Sequence, residues 1–168
     1  MTNNVGQEFV VTRSFAAPRD LVWRAHTEVE RLKQWWGPKG FDMLAAKLDL
    51  KPGGVFHYGM RAPNGTEMWG KFIFREVTPQ TRLAYVVSFS DATGGSTRNP
   101  WKPGWPLEVL TIVTFEEQDG KTLLTITGHP INCTDDERKL YEENFSGMQM
   151  GFKGTLDQLD IYLAEQQK

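Results

Sequence analysis

The sequence ends in a long amphipathic run, residues 134–163, that contains no proline and predicts one continuous helix. Thr134 and Glu137 have the spacing of a capping box, and two aspartates lie between them, at the positive end of the helix dipole. At about 1.5 Å per residue the helix would be roughly 40 Å long, enough to cross a small domain. One face is apolar and carries Tyr141, Phe145, Met148, Phe152, Leu156, Leu159 and Leu163. This helix is therefore expected to form one wall of the interior.

Three glycines, Gly147, Gly151 and Gly154, recur along one flank of this run at spacings of four and three. A glycine costs about 1 kcal/mol in a helix interior, so three of them require an explanation. Two explanations fit the pattern: the flank approaches a sheet closely, or it leaves room for something else.

The residues before this run have the alternation and turn signals of strands, with two short helices near the start. A first strand is predicted at Phe9–Phe15, and the helices follow at 19–27 and 29–36. Glycine- and proline-rich turns then separate six strands, which are predicted near residues 41–50, 54–61, 67–77, 82–90, 107–117 and 121–129. The order indicates an α+β fold, an antiparallel sheet of about seven strands with its helices segregated.

A chain of 168 residues is most simply one domain, so we expect a single domain over 1–168 with a flexible N-terminus at 1–8. The formal net charge is −2 and no basic block stands out, which argues against a nucleic-acid partner. No apolar run approaches the ~20 residues of a membrane span, and the first residues are too polar for a signal peptide. Cys133 is the only cysteine, so no internal disulfide forms and a cytoplasmic location is expected.

Alternation along the strands predicts which side chains face the helix. Trp69 and Ile73 compete with Phe72 and Phe74 for the inward face of their strand, and the phenylalanines are preferred. The inward side chains are then Phe56, Tyr58, Met60, Phe72, Phe74, Leu83, Tyr85, Val87, Phe89, Leu107, Val109, Thr111, Val113, Phe115, Leu124 and Ile126.

Three motifs occur along the chain in an order that is typical of a known superfamily. They are Trp35-Trp36-Gly37-Pro38, Pro52-Gly53-Gly54-Val55-Phe56-His57-Tyr58 and Gly147-Met148-Gln149-Met150-Gly151-Phe152. Through them the chain resembles the START-like (SRPBCC) superfamily and, within it, the homologues of the activator of heat-shock-protein-90 ATPase, many of them labelled polyketide cyclase-related. The resemblance covers nearly the whole chain. It implies a helix-grip fold, in which an antiparallel sheet wraps around the long C-terminal helix and leaves a cavity between them.

A cavity of this kind would be mostly apolar, as small-molecule sites usually are. Without the resemblance, the same aromatic and methionine side chains would more simply fill a core. We expect the ligand-binding residues to be Trp35, Phe56, Tyr58, Met60, Phe72, Tyr85, Val87, Phe89, Trp105, Val109, Thr111, Phe145, Met148 and Phe152. Tyr58, Tyr85 and Thr111 would orient the ligand through hydrogen bonds.

The segment 91–106 is longer than an ordinary hairpin loop, and loops of this length are typically functional or mobile. Trp101 and Trp105 could fold over the cavity mouth as a lid, with Arg98 or Lys102 meeting an acidic group on a ligand. A surface loop held against the sheet edge by its two tryptophans explains the segment equally well.

No residue receives a catalytic assignment from the sequence. His26 falls in a short helix, His57 and His129 fall on outward faces, and Glu108 enters the cavity only if its strand has the other parity. No metal-ligand spacing or phosphate-binding loop is present, and a lone Cys133 is more often inert than nucleophilic.

Three functions therefore follow, in order of preference. The first is a binding protein for a small hydrophobic or aromatic molecule, without cofactor or metal. The second, implied by the resemblance, is a polyketide cyclase or dehydratase that uses the same cavity. The third, also implied by the resemblance, is a domain that contacts a chaperone partner. A homodimer is left open.

Overall fold

The computed structural model describes residues 7–168, so the flexibility expected of 1–8 falls almost wholly outside the described residues. Eight strands and four helices follow one another in the described part of the chain. In order they are β1 (Phe9–Phe15), α1 (Arg19–Thr27), α2 (Val29–Trp35), β2 (Asp42–Leu48), β3 (Val55–Arg61), β4 (Glu67–Thr78), β5 (Arg82–Ser90), β6 (Ser96–Thr97), β7 (Glu108–Gln118), β8 (Lys121–Ile131), α3 (Asp135–Glu143) and α4 (Phe145–Gln166).

The strands form one antiparallel sheet in the order β1-β8-β7-β5-β4-β3-β2, with β6 paired to the end of β5. This confirms the α+β class and the antiparallel sheet. The eighth strand, β6, was not predicted, because two residues are too few to show any alternation. Irregularities in register interrupt β2 between Met43 and Ala45 and β4 between Phe74 and Glu76. Bulges of this kind bend a strand, which lets the sheet curve.

The two ends of the sheet are β1 and β2, and helix α4 partly covers the β1 end. The Gln149 side chain donates a hydrogen bond from Nε2 to the backbone oxygen of Val10, at 2.8 Å. Arg13 of the same strand forms an ion pair with Asp157 of α4, at 2.6 Å. The first strand is therefore attached to the C-terminal helix as well as to β8.

Most of the side chains predicted to face inward are buried, while Val87, Phe89, Leu107 and Val109 are half-buried. Phe72 and Phe74 are buried while Trp69 and Ile73 are only half-buried, so the choice of the phenylalanines is confirmed. In β7, Val113 and Phe115 are fully buried, as expected from the odd positions. Burial of large apolar side chains such as these supplies about 1.5–3 kcal/mol each and is the main force that holds the helices on the sheet.

The prediction of one continuous helix over 134–163 is wrong, because Asn144 divides it. The capping box at the start is present: the Thr134 hydroxyl accepts a bond from the Glu137 amide at 3.1 Å, and the Glu137 carboxylate accepts one from the Thr134 amide at 2.9 Å. Asn144 has φ −103° and ψ 11°, and its side-chain amide donates to the Leu140 oxygen at 2.7 Å. A side chain that bonds nearby backbone competes with the helix, so α3 ends here without any proline.

The glycine flank does not approach the sheet. A Cβ added to Gly147, Gly151 or Gly154 would meet no atom within 4 Å, and the first two residues are exposed. The explanation by close packing is therefore wrong. The space beside these glycines lies on the outer side of α4.

Candidate functional site

Helix α4 packs most closely on the sheet along its C-terminal half. Leu156, Leu159 and Leu163 are buried there. Phe152 and Met148 lie on the same apolar face, one and two turns nearer the start of the helix, but both are only half-buried. Val87 of β5, opposite them, is half-buried as well. The first half of α4 contacts β1, where Phe145 and Phe152 pack on Phe9, and a gap separates it from β5 and β7.

Two cavities adjoin this part of the sheet, and the second of them occupies the gap below α4. The first, of about 120 Å³, lies below the segment that connects β6 to β7 and is called here the loop cavity. The second, of about 140 Å³, lies below α3 and α4 and is called the helix cavity. Val87 and Val109 line both cavities, and they are direct partners in the β5–β7 register. A wall of two valines is therefore common to the two spaces.

The aromatic part of the core around Phe56, Phe72 and Tyr85 is tightly packed. A third void, lined by Phe56, Phe72, Tyr85 and neighbouring side chains, measures only about 10 Å³. These aromatic rings pack on one another: Phe72 stacks on Tyr85 at 4.0 Å and meets Phe56 edge-on at 5.3 Å. This aromatic cluster therefore leaves too little space for a ring, unlike the loop cavity and the helix cavity.

Eight of the residues predicted to bind a ligand line the two cavities. They are Tyr58, Val87, Phe89, Trp105, Val109, Thr111, Met148 and Phe152. Phe56, Phe72 and Tyr85 surround the small void instead. Trp35, Met60 and Phe145 line none of these three spaces: Trp35 donates its ring N–H to the Ala25 oxygen at 2.9 Å, Met60 is buried, and Phe145 packs on Tyr141.

Several cavity-lining residues were not among the predicted site residues. They are Phe9, Met68, Trp69, Gly70, Ser88, Pro106, Leu107, Ile126, Thr127, Gly128 and Tyr141. Leu107, Ile126 and Tyr141 already belonged to predicted inward faces, so their alternation was the available signal. Gly70 and Gly128 have no side chain, and no periodic pattern could have marked them.

The segment 91–106 is held across the loop cavity. Arg98 forms an ion pair with Glu137 of α3 at 2.6 Å, and Lys102 donates to the Asn144 side chain at 2.6 Å. Trp105 lines the cavity and packs against Tyr141 at 5.3 Å. Trp101 lies edge-on to Phe89 at 6.2 Å but remains 55% exposed. In this state Arg98 and Lys102 bind the helices, which leaves no basic group of this segment inside the cavity.

The polar groups inside the two cavities are uncharged. Among the described residues that line them, none is a histidine, a carboxylate, a lysine or an arginine. Burial raises the pKa of the Tyr58 hydroxyl, and also that of Tyr141, so both phenols stay neutral. Glu108 lies away from the cavities, where it accepts a bond from Asn132 at 3.3 Å. The site can bind and orient a molecule through hydroxyl donors.

A larger space lies on the outer surface. An open groove of about 1130 Å³ runs between α2 and the C-terminal half of α4. Its charged side chains pair with one another, including Arg31 with Glu28 at 2.6 Å and Lys153 with Asp157 at 3.0 Å beside it. In residues 7–168 no three His, Cys, Asp or Glu side chains come close enough to hold a metal ion. None of the described helices has the length and apolar character that a membrane crossing requires.

A family model described as "Activator of Hsp90 ATPase homolog 1-like protein" matches residues 16–164. The chain belongs to this family. The Trp35-Trp36-Gly37-Pro38 motif and all but the last two residues of α4 lie inside the match, which confirms the family resemblance. The comparison with curated proteins gives no significant match.

Solved structures similar to this member of the Hsp90 ATPase activator-like family span almost the whole chain. A protein from Nitrosomonas europaea is 29% identical, with 95% of this chain and 96% of that one covered and a TM-score of 0.75. A protein from Mycobacterium smegmatis is 24% identical, covers 93% and 90%, and has a TM-score of 0.76. The AHSA1 protein from Silicibacter pomeroyi is 20% identical, covers 95% and 99%, and has a TM-score of 0.69. At identities below 25%, the likeness to the Mycobacterium smegmatis and Silicibacter pomeroyi structures shows that the fold is shared.

Proposed function

We propose that this domain binds a small hydrophobic or aromatic molecule in the two adjoining cavities that the sheet forms with the first half of α4 and with the segment 91–106. The observation that carries the proposal is the pair of adjoining apolar cavities with Val87 and Val109 as their common wall. The family fold is consistent with ligand binding. We include a cytoplasmic location in the proposal, as expected from the sequence.

The size of the gap supports a ligand of one or two rings. An apolar cavity of about 150 Å³ is enough to hold benzene. The loop cavity and the helix cavity are each slightly smaller, at about 120 and 140 Å³. A two-ring molecule would therefore occupy both, with the Val87 and Val109 side chains displaced from between the rings. A drug-sized ligand, which needs about 300–1,000 Å³, would require further opening.

The segment 91–106 would act as a lid in this proposal. Trp105 covers the loop cavity, while the Arg98–Glu137 and Lys102–Asn144 contacts attach the segment to the helices. Both contacts are on the surface, where a single ion pair contributes only about 0–1 kcal/mol. Ligand entry would thus require the loss of a few weak contacts and of the Trp105 packing.

Substitution of Val109 by phenylalanine tests the proposal, because the larger ring would fill the space that the ligand needs. We expect naphthalene to raise the melting temperature of the wild-type protein and to shift the amide signals of β5 and β7 in NMR spectra. The Val109→Phe variant should fold and lose both responses. Val87→Phe tests the same wall if the first variant is unstable.

Val10→Phe is the matched control, because Val10 is 45% exposed on β1 and lies outside both cavities. This variant should respond to naphthalene as the wild type does. The proposal fails if naphthalene and related one- and two-ring compounds leave the wild type unchanged. It also fails if Val109→Phe binds as tightly as the control.

The family description is the reason to keep a second candidate, a chaperone partner, since it refers to activators of the Hsp90 ATPase. The test is a pull-down with the purified chaperone at micromolar concentration, followed by an ATPase assay. The cyclase alternative finds no charged acid or base among the described lining residues, and only the hydroxyls of the cavities remain for it. Turnover by the wild type that is lost in Tyr58→Phe would favour it.

A further inference from the structure

Two hydroxyl groups open into the helix cavity without a hydrogen-bond partner among residues 7–168. They belong to Tyr141 of α3, which is 1% exposed, and to Thr111 of β7, which is 7% exposed. Neither hydroxyl oxygen is sealed off by the surrounding protein, so each can form a hydrogen bond with an atom that enters the cavity. Two such groups in one small cavity point to a polar atom that enters from outside the protein.

The register of the sheet brings these hydroxyls to the same place. Thr111 is the direct partner of Gly128 in the β7–β8 pair. The Tyr141 hydroxyl lies over Gly128, 2.7 Å from the position that a Cβ atom would take there. Gly128 therefore makes the room in which the tyrosine hydroxyl reaches the strand beside Thr111. Any larger residue at this position would displace it.

The cavity also decides which kind of polar atom fits. No charged side chain of the described part of the chain lines it, and its remaining walls are apolar. A buried ion without a partner is strongly disfavoured, so the ligand must be neutral. The Tyr141 phenol keeps its proton, because burial raises its pKa. A protonated phenol and a threonine hydroxyl can both donate, and the complementary group is an oxygen that accepts.

Building on the proposed function, we propose that the ligand is an uncharged ring molecule with a carbonyl or ether oxygen, which accepts hydrogen bonds from Tyr141 and Thr111. The oxygen occupies the end of the helix cavity over Gly128. The rings extend past Val87 and Val109 toward the loop cavity and Trp105. The hydroxyls thus fix the orientation of the ligand, while the apolar walls supply most of its affinity.

A matched pair of probes separates the contribution of the oxygen to the affinity from that of the rings. 1-Tetralone carries a ketone, and tetralin is the same two-ring skeleton without it. Binding is measured by isothermal titration calorimetry or by NMR. We expect 1-tetralone to bind the wild type about ten-fold more tightly than tetralin, the usual worth of a good hydrogen bond in a buried site. The charged analogue tetralin-1-carboxylate should not bind.

Two variants remove the donors and keep the packing. In Tyr141→Phe and in Thr111→Val, the affinity for 1-tetralone should fall toward that for tetralin, while tetralin binding stays the same. Either variant suffices if the other does not fold. Tyr162→Phe is the control, because that hydroxyl accepts a bond from Arg31 at 3.1 Å outside both cavities. This control should retain the ten-fold preference.

The outcomes distinguish the two proposals. If both probes bind the wild type equally and Tyr141→Phe changes neither affinity, the inference is wrong while the binding cavity stands. Tight binding of the carboxylate overturns it as well. If neither probe binds, the proposed function fails and this inference fails with it.

Discussion

His26 should make the stability of this domain depend on pH in a range where most side chains do not titrate. Its ring is half-buried on α1 between the edges of Trp35 and Phe115, whose centroids lie 4.8 and 5.1 Å away. Its Nδ1 lies 2.8 Å from the Val22 oxygen, and since a carbonyl can only accept, this nitrogen carries the proton. Protonation of the other ring nitrogen would place a charge among aromatic rings.

The magnitude follows from the two pKa values. Burial lowers the pKa of His26 from 6.5 to about 4, and the bond to Val22 opposes this only in part. At about 1.4 kcal/mol per pKa unit, the difference corresponds to about 3 kcal/mol of folding free energy. The unfolded chain binds the extra proton between pH 6.5 and 4. This part of the stability is therefore complete above pH 6.5 and is lost as the pH falls toward 4.

Urea unfolding of the wild type and of His26→Gln, at several pH values from 7.5 to 4, measures this contribution. The carboxylates with lowered pKa values, such as Asp157, are common to both proteins and cancel in the difference. We expect the wild type to lose about 3 kcal/mol more than the variant over this range. An NMR titration of the His26 ring gives the folded pKa independently. Parallel pH profiles for the two proteins, or a folded pKa near 6.5, would refute the reasoning.

Three further predictions concern stability and exchange. Phe56→Ala should lower the free energy of unfolding in urea by about 3–5 kcal/mol, because Phe56 is fully buried. Ile161→Ala, at a 66% exposed position, should change it by less than about 0.5 kcal/mol. Equal losses in the two variants would contradict the assigned core. Thr134→Ala should cost about 1 kcal/mol through loss of the capping box, with faster amide exchange confined to α3. Arg98→Ala should cost less than about 1 kcal/mol yet speed the release of naphthalene in stopped-flow measurements; an unchanged release rate would exclude a lid.

Much of the fold could be predicted because its signals are local. Alternation in β3 placed Phe56, Tyr58 and Met60 on the inward face, and all three are buried there. The capping box marked the start of α3 to the residue. The end of α3 was missed because no proline or glycine marks it. Asn144 interrupts the helix through its own side-chain bond to Leu140.

The candidate site was harder to predict, because sequence patterns show which side chains face inward but not where their packing leaves an empty space. The alternation shows that Phe72 and Val87 both face inward, but only packing decides that the first fills the core and the second borders a gap. One of the two interpretations of the segment 91–106 had Arg98 or Lys102 meeting an acidic group of a ligand. The structure instead pairs them with Glu137 and Asn144, across more than thirty positions of sequence. Such long-range pairings leave no trace in local spacing.

The attachment of Gln149 to Val10 has a consequence for association between chains. A sheet that does not close exposes unpaired backbone groups at its outer strands, which can recruit a strand from another molecule. Here one of those acceptors on β1 is already occupied by a side chain from the C-terminal helix. A second molecule that extended the sheet at this strand would first have to break that bond, so the helix protects the protein against aggregation at this edge.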